Sequence, residues 1–395
     1  MKTIKHLLQG IMGCLAFALT GCHHAAQPYC IGADISFVPQ HEAAGIVYKD
    51  TDGKEADICE IMARHHFNTI RLRIFVNPEA EKGYAPGRGF CDLEHTLKMA
   101  QRIKKNGMEF ALDFHYSDTW ADPDKQFKPS AWKDLTGVQL EEKLYNYTKE
   151  VLTALKDAKA APGIIQIGNE INHGMVWPEG KIDDNATEEN WQALMRLYKA
   201  GQKAVREVLP QAKIQVHLAL GGENLLCREF LDHMIQAGAE FDIIGLSYYE
   251  QWHETYNDLK ANLYDLTERY QKPVCVCEYG ANPQNIRIIN DIVRSLPNGL
   301  GYGTMAWEPT GVLFDKSGKA ETELFQIYEN MYRQYIQTNE QPHFVPPYTS
   351  QDSLQGPIIG ADISWVPQQE KHGIRFSHQN IEKDVPVSYT HLRAH

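Results

Sequence analysis

The sequence has little positive charge and no cluster of it. Its 395 residues include 39 Lys and Arg against 51 Asp and Glu, which gives a formal net charge of −12. A protein that binds nucleic acid needs clustered Lys and Arg to displace the counterions of the polyanion. No basic run longer than a few residues occurs. We therefore expect no nucleic-acid partner and favour an uncharged ligand.

Motifs for metal and dinucleotide binding are also missing. The spacings of the eight cysteines match no zinc motif, and no G-x-G-x-x-G follows the first predicted strand. Cys14 and Cys22 lie in the N-terminal segment for which we predict export and lipidation below, and six cysteines remain. We expect most of them to be small buried apolar residues rather than disulfide partners.

No apolar run at the N-terminus is long enough to span a bilayer. Two early lysines precede an apolar stretch over residues 11–19, which is typical of an export signal. The sequence LTGC, ending at Cys22, resembles the cleavage box of bacterial lipoproteins. We predict a signal peptide over 1–21, a tether over 22–30 and a lipid anchor on Cys22. An ordinary signal peptide with an incidental cysteine is the alternative.

A lipid anchor on Cys22 also predicts where the protein is located in the cell. The chain would cross the inner membrane of a bacterium and stay attached to a membrane by its acyl chains. The outer membrane is the expected site, with the cell surface and the periplasmic face both left open.

Residues 31–338 alternate between apolar strand-like runs and amphipathic helical stretches. Near-continuous apolar runs are typical of parallel strands that are covered on both faces. The predicted strands are 31–36, 69–75, 109–115, 163–168, 213–220, 241–248, 273–277 and 301–307. The predicted helices are 55–66, 93–106, 138–160, 188–209, 225–237, 254–270, 284–295 and 321–336. Eight strand–helix units predict an α/β fold, a (β/α)8 TIM barrel, rather than an open doubly wound sheet.

Beyond this barrel the sequence repeats itself. Residues 360–368 match 32–40 at eight of nine positions, and an offset of 328 residues (360 minus 32) equals about one barrel and a linker. We predict a linker over 339–357 and the truncated start of a second copy over 358–386. The full-length parent would then carry a second tandem domain. Residues 387–395 continue no pattern and resemble a translated sequencing adapter.

Two predicted strands end in glutamate on opposite sides of the barrel mouth. The fourth leads into Asn169 and Glu170 and the seventh into Glu278, and reactive groups of TIM barrels lie at these strand ends. Glycoside hydrolysis needs one protonated carboxyl to assist the leaving oxygen and one ionised carboxylate to attack the sugar. We predict that Glu170 and Glu278 are catalytic. The alternative is that each only forms a salt bridge at the rim.

Polar residues on the second and third strands favour the same chemistry. Arg71, with Arg73 as the alternative, would place a fixed positive charge beside the nucleophilic carboxylate and lower its pKa. Asp113 and His115 are predicted to point inward. Residues of this kind also often only satisfy a polar barrel core.

Further supporting residues are predicted around the two glutamates. Asn169 is expected to hold the sugar 2-hydroxyl, Tyr248 to hydrogen-bond the nucleophile, and Trp307 to form the floor of the site. His217 is interpreted as a core histidine. Four aromatic residues follow predicted strand ends: Phe37, Trp120, Trp177 and Trp252. We expect their rings to stack on sugar faces, and the alternative is that they only pack within the loops.

Several motifs between residues 32 and 336 closely resemble glycoside hydrolase family 53, the endo-β-1,4-galactanases. They are GADIS at 32–36, TIRLRIFVNP at 69–78, LDFHYSDTWADP at 112–123, QIGNEI at 166–171, GLSYY at 245–249 and WEP at 307–309. The resemblance implies a TIM barrel and a retaining mechanism, with Glu170 as acid/base and Glu278 as nucleophile. It implies β-1,4-galactan, in pectic galactan or type I arabinogalactan, as the polysaccharide substrate.

The resemblance implies no cofactor. Some relatives bind calcium near the last strands, but no acidic cluster there supports it, so we predict no metal. Two other functions stay open. One is another β-1,4-glycanase of the same clan, a mannanase or a cellulase. The other is a surface lipoprotein that captures glycan without cleaving it.

Overall fold

The computed structural model describes residues 28–183 and 185–342, together with 371, 377–378 and 381–382. The predicted signal peptide, Cys22, most of the predicted tether and linker, and the terminal segment lie outside the described residues. Of the predicted second copy, the structure describes residue 371 and an antiparallel pair, Ser377–His378 with Ile381–Glu382.

Eight parallel strands close into a barrel, each pairing with its neighbours along the chain and the last pairing with the first. They are β1 (Cys30–Asp34), β2 (Thr69–Ile74), β3 (Glu109–Phe114), β4 (Ile164–Ile167), β5 (Lys213–Leu218), β6 (Ile243–Tyr248), β7 (Val274–Tyr279) and β8 (Gly301–Trp307). Almost every strand residue is buried, because helices cover the outer face and side chains fill the interior. The predicted TIM barrel is confirmed.

A helix follows each strand and packs on the outside of the barrel. These are α1 (Ile58–Arg64), α2 (Leu93–Lys105), α3 (Gly137–Asp157), α4 (Glu188–Val208), α5 (Asn224–Gln236), α6 (Tyr256–Tyr270), α7 (Pro283–Arg294) and α8 (Thr322–Tyr332). Shorter elements lie in the loops: helices Val38–Ala43 and Thr310–Leu313, and a hairpin of Gly174–Met175 with Gly180–Lys181. A π-helical turn, Arg333–Gln337, extends α8.

Helix α7 shows how local sequence sets an element. Asn282 caps its start by accepting the backbone N–H of Asn285, and Pro283 occupies the first turn, where no N–H is needed. Ile286, Ile289 and Val293 then recur at helical spacing and are buried against the barrel. The predicted helix, 284–295, is shifted by one residue from the observed one.

Two strand ends differ from prediction in a way that shapes the site. β7 continues to Tyr279, beyond the predicted end at 277, because Ser247 and Tyr248 of β6 pair with Glu278 and Tyr279. β4 stops at Ile167, since the following turn needs left-handed backbone, with φ of 81° at Gly168 and 48° at Glu170.

The cysteines of the described chain are buried and unpaired: Cys30, Cys59, Cys91, Cys227, Cys275 and Cys277. Burial raises the pKa of the Cys30, Cys59, Cys91 and Cys227 thiols to about 12, which keeps them uncharged. They behave as small apolar residues, as expected. Within the described residues, no helix is both long and apolar enough to cross a membrane.

Candidate active site

Glu170 and Glu278 meet at the mouth of the barrel. Glu170 follows β4 in the left-handed backbone conformation, and Glu278 lies near the end of β7. A carboxylate oxygen of each, and a ring nitrogen of His217, all lie within 4.8 Å of one another. Carboxyl groups about 5–5.5 Å apart are typical of retaining glycosidases, and about 6.5–9.5 Å of inverting ones. An approach of the nearest carboxylate oxygens within 4.8 Å favours the short, retaining spacing.

Arg71 of β2 binds Glu278 directly. Its Nη1 donates to Glu278 Oε2 at 3.1 Å, and its Nη2 donates to Asp113 Oδ2 at 2.8 Å. Nη1 also lies 3.2 Å from Asp34 Oδ2. Three carboxylates therefore surround one fully buried guanidinium. The structure thus places Arg71, rather than the alternative Arg73, beside the predicted nucleophile.

Arg73 occupies a separate position behind the aromatic residues. Its Nη1 donates to Glu308 Oε1 at 2.6 Å. Its guanidinium carbon lies 4.5 Å from the ring centre of Phe37 and 4.4 Å from that of Trp120. The two rings lie edge to face, with centres 6.2 Å apart, and both make cation–π contacts with the guanidinium.

The surroundings separate the proton affinities of the two glutamates. Burial raises the pKa of Glu170 well above its usual value, and the negative charge of Glu278 raises it further. Burial also raises the pKa of Glu278, and the charges of Asp34 and Asp113 add to this rise, but Arg71 and the Tyr249 hydroxyl oppose it and the overall rise is smaller than that of Glu170. Glu278 therefore loses its proton first, and Glu170 keeps its own. This division into one acid and one anion is the one that glycoside hydrolysis requires.

Asn169 is held firmly beside Glu170. Its Nδ2 donates to the Ala121 carbonyl at 2.8 Å, and its Oδ1 accepts from Arg71 Nη2 at 2.9 Å. The side chain of Gln126 donates to the Asn169 carbonyl at 2.8 Å. The left-handed turn that carries Glu170 is thus fixed by the loop after β3.

Two side chains near the end of the third strand point into the barrel, as predicted. Asp113 and His115 are buried and point inward, with His115 Nε2 3.1 Å from Asp113 Oδ2. His115 Nδ1 accepts the backbone N–H of Ala121 at 3.0 Å. His115 therefore links the carboxylate beside Arg71 to the loop that holds Asn169.

Glu170, His217 and Glu278 are the group of described residues whose spacing could hold a metal ion. Their donor atoms already have partners, however. Arg71 binds Glu278, and the ring nitrogens of His217 face Asn169 Oδ1 at 3.0 Å and Ser247 Oγ at 2.8 Å. A cation here would also lie close to the Arg71 guanidinium. The set fits acid–base chemistry better than metal binding.

An open cleft of about 820 Å³ surrounds the carboxylates. Trp307, Trp120 and the 67% exposed Trp252 line it. Trp177 does not line this cleft; it lies on the loop between the two strands of the short hairpin, and its indole N–H donates to the His173 carbonyl at 2.8 Å. Phe37 also lies outside the lining and packs edge-on against Trp120 and Trp307, with ring centres about 6 Å away.

Comparison with known proteins identifies the family of this chain. The model of glycosyl hydrolase family 53 matches residues 30–285, which is most of the barrel. The chain belongs to glycosyl hydrolase family 53. It is therefore a glycoside hydrolase.

Individual relatives align over most of the barrel. An uncharacterized protein in the bgaB 5′ region of Niallia circulans is 39% identical, over 72% of this chain and 85% of that protein. An arabinogalactan endo-beta-1,4-galactanase of Thermothelomyces thermophilus is 34% identical, over 74% of this chain and 97% of its own length. A solved structure of fungal beta-1,4-galactanases has a TM-score of 0.66 and 29% identity, covering 75% of this chain and 98% of that one.

The tyrosine beside Glu278 in this family 53 chain is not the one predicted. Tyr248 donates to the Glu254 carbonyl at 3.0 Å, whereas the Tyr249 hydroxyl donates to Glu278 Oε1 at 3.0 Å. Side chains alternate along a strand, and Ser247 of β6 points inward, so Tyr248 points outward against α6. Tyr249, one position beyond the strand, turns inward again.

Besides Tyr249, three site residues were not predicted from the sequence. Ser247 contacts Glu170, Asp34 contacts Arg71, and Glu308 binds Arg73. A signal existed for Glu308, because it follows an apolar strand as Glu170 and Glu278 do. Asp34 ends the first strand and offered a weaker form of that signal.

Replacing Tyr249 with Phe should lower kcat on the enzyme's glycan substrate by about 10- to 100-fold. A hydrogen bond to a charged group contributes about 1.5–3 kcal/mol, and each 1.36 kcal/mol corresponds to about tenfold in rate. Tyr248→Phe is the matched control, since its hydroxyl bonds only a loop carbonyl, and it should keep kcat within about twofold. Equal losses in both variants, measured by initial rates, would contradict the assignment of Tyr249.

Proposed function

We propose that this enzyme is a retaining endo-β-1,4-galactanase that cleaves pectic galactan and type I arabinogalactan. The observation that carries the proposal is the close pair of carboxyls, Glu170 and Glu278, in environments that favour opposite protonation states. The galactanase names of its family 53 relatives supply the substrate.

The reaction runs in two displacements. Ionised Glu278 attacks the anomeric carbon while Glu170 donates its proton to the departing glycosidic oxygen, which leaves a galactosyl ester on Glu278. Glu170, now ionised, then takes a proton from water as the water oxygen attacks the same carbon. The ester bond breaks, Glu278 regains its negative charge, and the stereochemistry is retained.

Neighbouring residues support these steps. Arg71 and Tyr249 hold the attacking oxygens of Glu278 and stabilise its charge. We expect Asn169 to bind the sugar 2-hydroxyl with the amide hydrogen that does not bond Ala121. Trp307, Trp120 and Trp252 offer apolar faces for sugar rings along the cleft.

The charge of the cleft favours a neutral polymer. Six acidic residues line it against three basic ones: Asp34, Asp113, Asp122, Asp124, Glu170 and Glu278, and Arg71, Arg73 and Lys125. With Glu170 protonated, five carboxylates still outnumber the three cations. An anionic uronic-acid chain would meet unfavourable charge there. Galactan is uncharged, and so are mannan and cellulose, the substrates of the alternative enzymes.

Digestion of a polysaccharide panel tests the substrate. Linear galactan should release reducing ends, and product sizing should show oligosaccharides shorter than the polymer. Mannan and cellulose should release few. Activity on mannan or cellulose without activity on galactan would contradict the proposal. Binding of galactan without cleavage would support the non-catalytic alternative.

We also propose that Cys22 carries a lipid anchor that attaches the exported enzyme to a bacterial membrane, with a second tandem domain in the full-length parent. The support is the LTGC sequence and the repeat at 360–368, both outside the described residues. Labelled fatty acid fed to an expressing bacterium should enter the wild type and not Cys22→Ala. Equal labelling of both would contradict the anchor.

A further inference from the structure

A chain of hydrogen bonds connects Asn169 to Glu170 through two buried residues. His217 Nδ1 lies 3.0 Å from Asn169 Oδ1, and His217 Nε2 lies 2.8 Å from Ser247 Oγ. Ser247 Oγ in turn lies 2.5 Å from Glu170 Oε1. Neither His217 nor Ser247 has any exposed surface, so these groups are partnered by one another rather than by bulk water.

The Asn169 end fixes the direction of the chain. Asn169 Nδ2 donates to the Ala121 carbonyl and Oδ1 accepts from Arg71, so the amide cannot be flipped. An amide oxygen only accepts, and His217 Nδ1 must therefore carry the hydrogen. The backbone N–H of Glu170 also faces Nδ1, but at the longer distance of 3.4 Å.

The remaining ring nitrogen of His217 is an acceptor. Burial lowers the pKa of His217 well below its usual value, and the charge of Arg71 lowers it further, which keeps the ring neutral. With the hydrogen on Nδ1, Nε2 is bare. The Ser247 hydroxyl therefore donates to Nε2, and only the lone pairs of Ser247 Oγ are left to face Glu170.

Glu170 must then supply the hydrogen in its contact with Ser247 Oγ. We propose that Ser247 and His217 are positioning residues that keep the acid proton on Oε1 of Glu170 in the resting enzyme. This inference rests on the proposed function, in which Glu170 is the general acid. It assigns a role to two residues that do not themselves touch the substrate.

Other charged groups around Glu170 and His217 also affect the pKa of Glu170. Burial and the charge of Glu278 raise the pKa of Glu170, while Arg71 opposes them; a Ser247 hydroxyl that donated to an ionised Glu170 would oppose them as well, so the direction of this one contact decides its effect. The titratable and charged groups that face Glu170 or His217 are Arg71, Asp113, His115, Asp122, Tyr249, His253 and Glu278. The chain through Ser247 adds a direct contact that favours the protonated carboxyl.

The Ser247→Ala variant tests the direction of the chain. Loss of an acceptor for the protonated carboxyl should move the basic limb of the pH profile of kcat/KM down by about one pH unit, the shift expected for one hydrogen bond. Ser247→Thr keeps the hydroxyl and should leave the limb near its wild-type position. A limb that stays in place in Ser247→Ala, or moves up, overturns the proposal. An upward shift would mean that Ser247 donates to an ionised Glu170 in the resting enzyme.

An infrared titration separates this inference from the proposed function, because it needs no substrate. The protonated carboxyl band of Glu170 is identified by its absence in Glu170→Gln. Its titration midpoint should be lower in Ser247→Ala than in the wild type, and an equal or higher midpoint overturns the inference. If the wild type cleaves no glycan, the proposed function fails, yet the position of the proton is still measured.

Discussion

Replacing Glu278 with Gln should lower kcat on galactan by at least about 10⁴-fold, a loss typical of removing a covalent nucleophile. An amide cannot form the glycosyl ester, so the first displacement has no attacking group. KM should change little, because the side chain keeps its size and its position beside Arg71. Reducing-sugar release over long incubations measures the residual rate.

The fold should survive this substitution. Arg71 keeps two carboxylate partners, Asp34 at 3.2 Å and Asp113 at 2.8 Å, when Glu278 becomes neutral. The thermal unfolding midpoint of the variant should therefore stay close to that of the wild type. A folded variant that retains more than about a hundredth of wild-type kcat would rule out Glu278 as the nucleophile.

Replacing Glu170 with Gln should lower kcat on galactan by about 10²–10⁴-fold, the usual contribution of general acid–base catalysis. Galactose is a poor leaving group and depends on proton donation. A dinitrophenyl β-galactobioside does not, because its phenolate leaves without a proton. The first displacement on this activated substrate should proceed at close to the wild-type rate, with a burst of dinitrophenolate.

The second displacement provides the control for Glu170. Without a base, water reacts slowly with the galactosyl ester, so the steady-state rate after the burst should be low. Azide needs no base and should restore turnover of a Glu170→Ala variant, giving the β-galactosyl azide. Azide should not restore Glu278→Gln in this way. A variant of Glu170 that loses the activated and natural substrates equally would contradict its role as acid/base.

The barrel and its two glutamates could be predicted from sequence for one physical reason. Parallel strands buried on both faces produce near-continuous apolar runs, and a carboxylate that directly follows such a run is costly unless it has a function or a partner. Glu170 and Glu278 stand out against β4 and β7 on this ground. Their mutual approach then follows from the closure of the barrel.

Side-chain direction at strand ends was harder to predict. Tyr248 and Tyr249 are adjacent, and which of them reaches Glu278 depends on the face that Ser247 takes. The pairing of β6 with β7 shifts register between Leu246 and Ser247, and such an irregularity leaves no pattern in the sequence. The alternation of a small polar residue and a large aromatic one, Ser247 then Tyr248, was the available signal.

Loop aromatics were the least predictable part of the site. Trp120 and Trp252 line the cleft, whereas Trp177 does not. Each follows a strand end, so sequence position gives all three the same prediction. Whether each ring lines the cleft depends on contacts between residues distant in sequence, such as that of the Arg73 guanidinium with Trp120. Such contacts are visible only in the folded chain.

The anomeric form of the first product, followed by proton NMR during digestion of galactan, tests the central claim directly. If the carboxyls at 170 and 278 act by double displacement, the new reducing ends must appear first as the β-anomer, and the α-anomer must accumulate only through later mutarotation. Initial release of the α-anomer would mean a single inverting displacement. The account of a covalent intermediate on β7 would then be wrong.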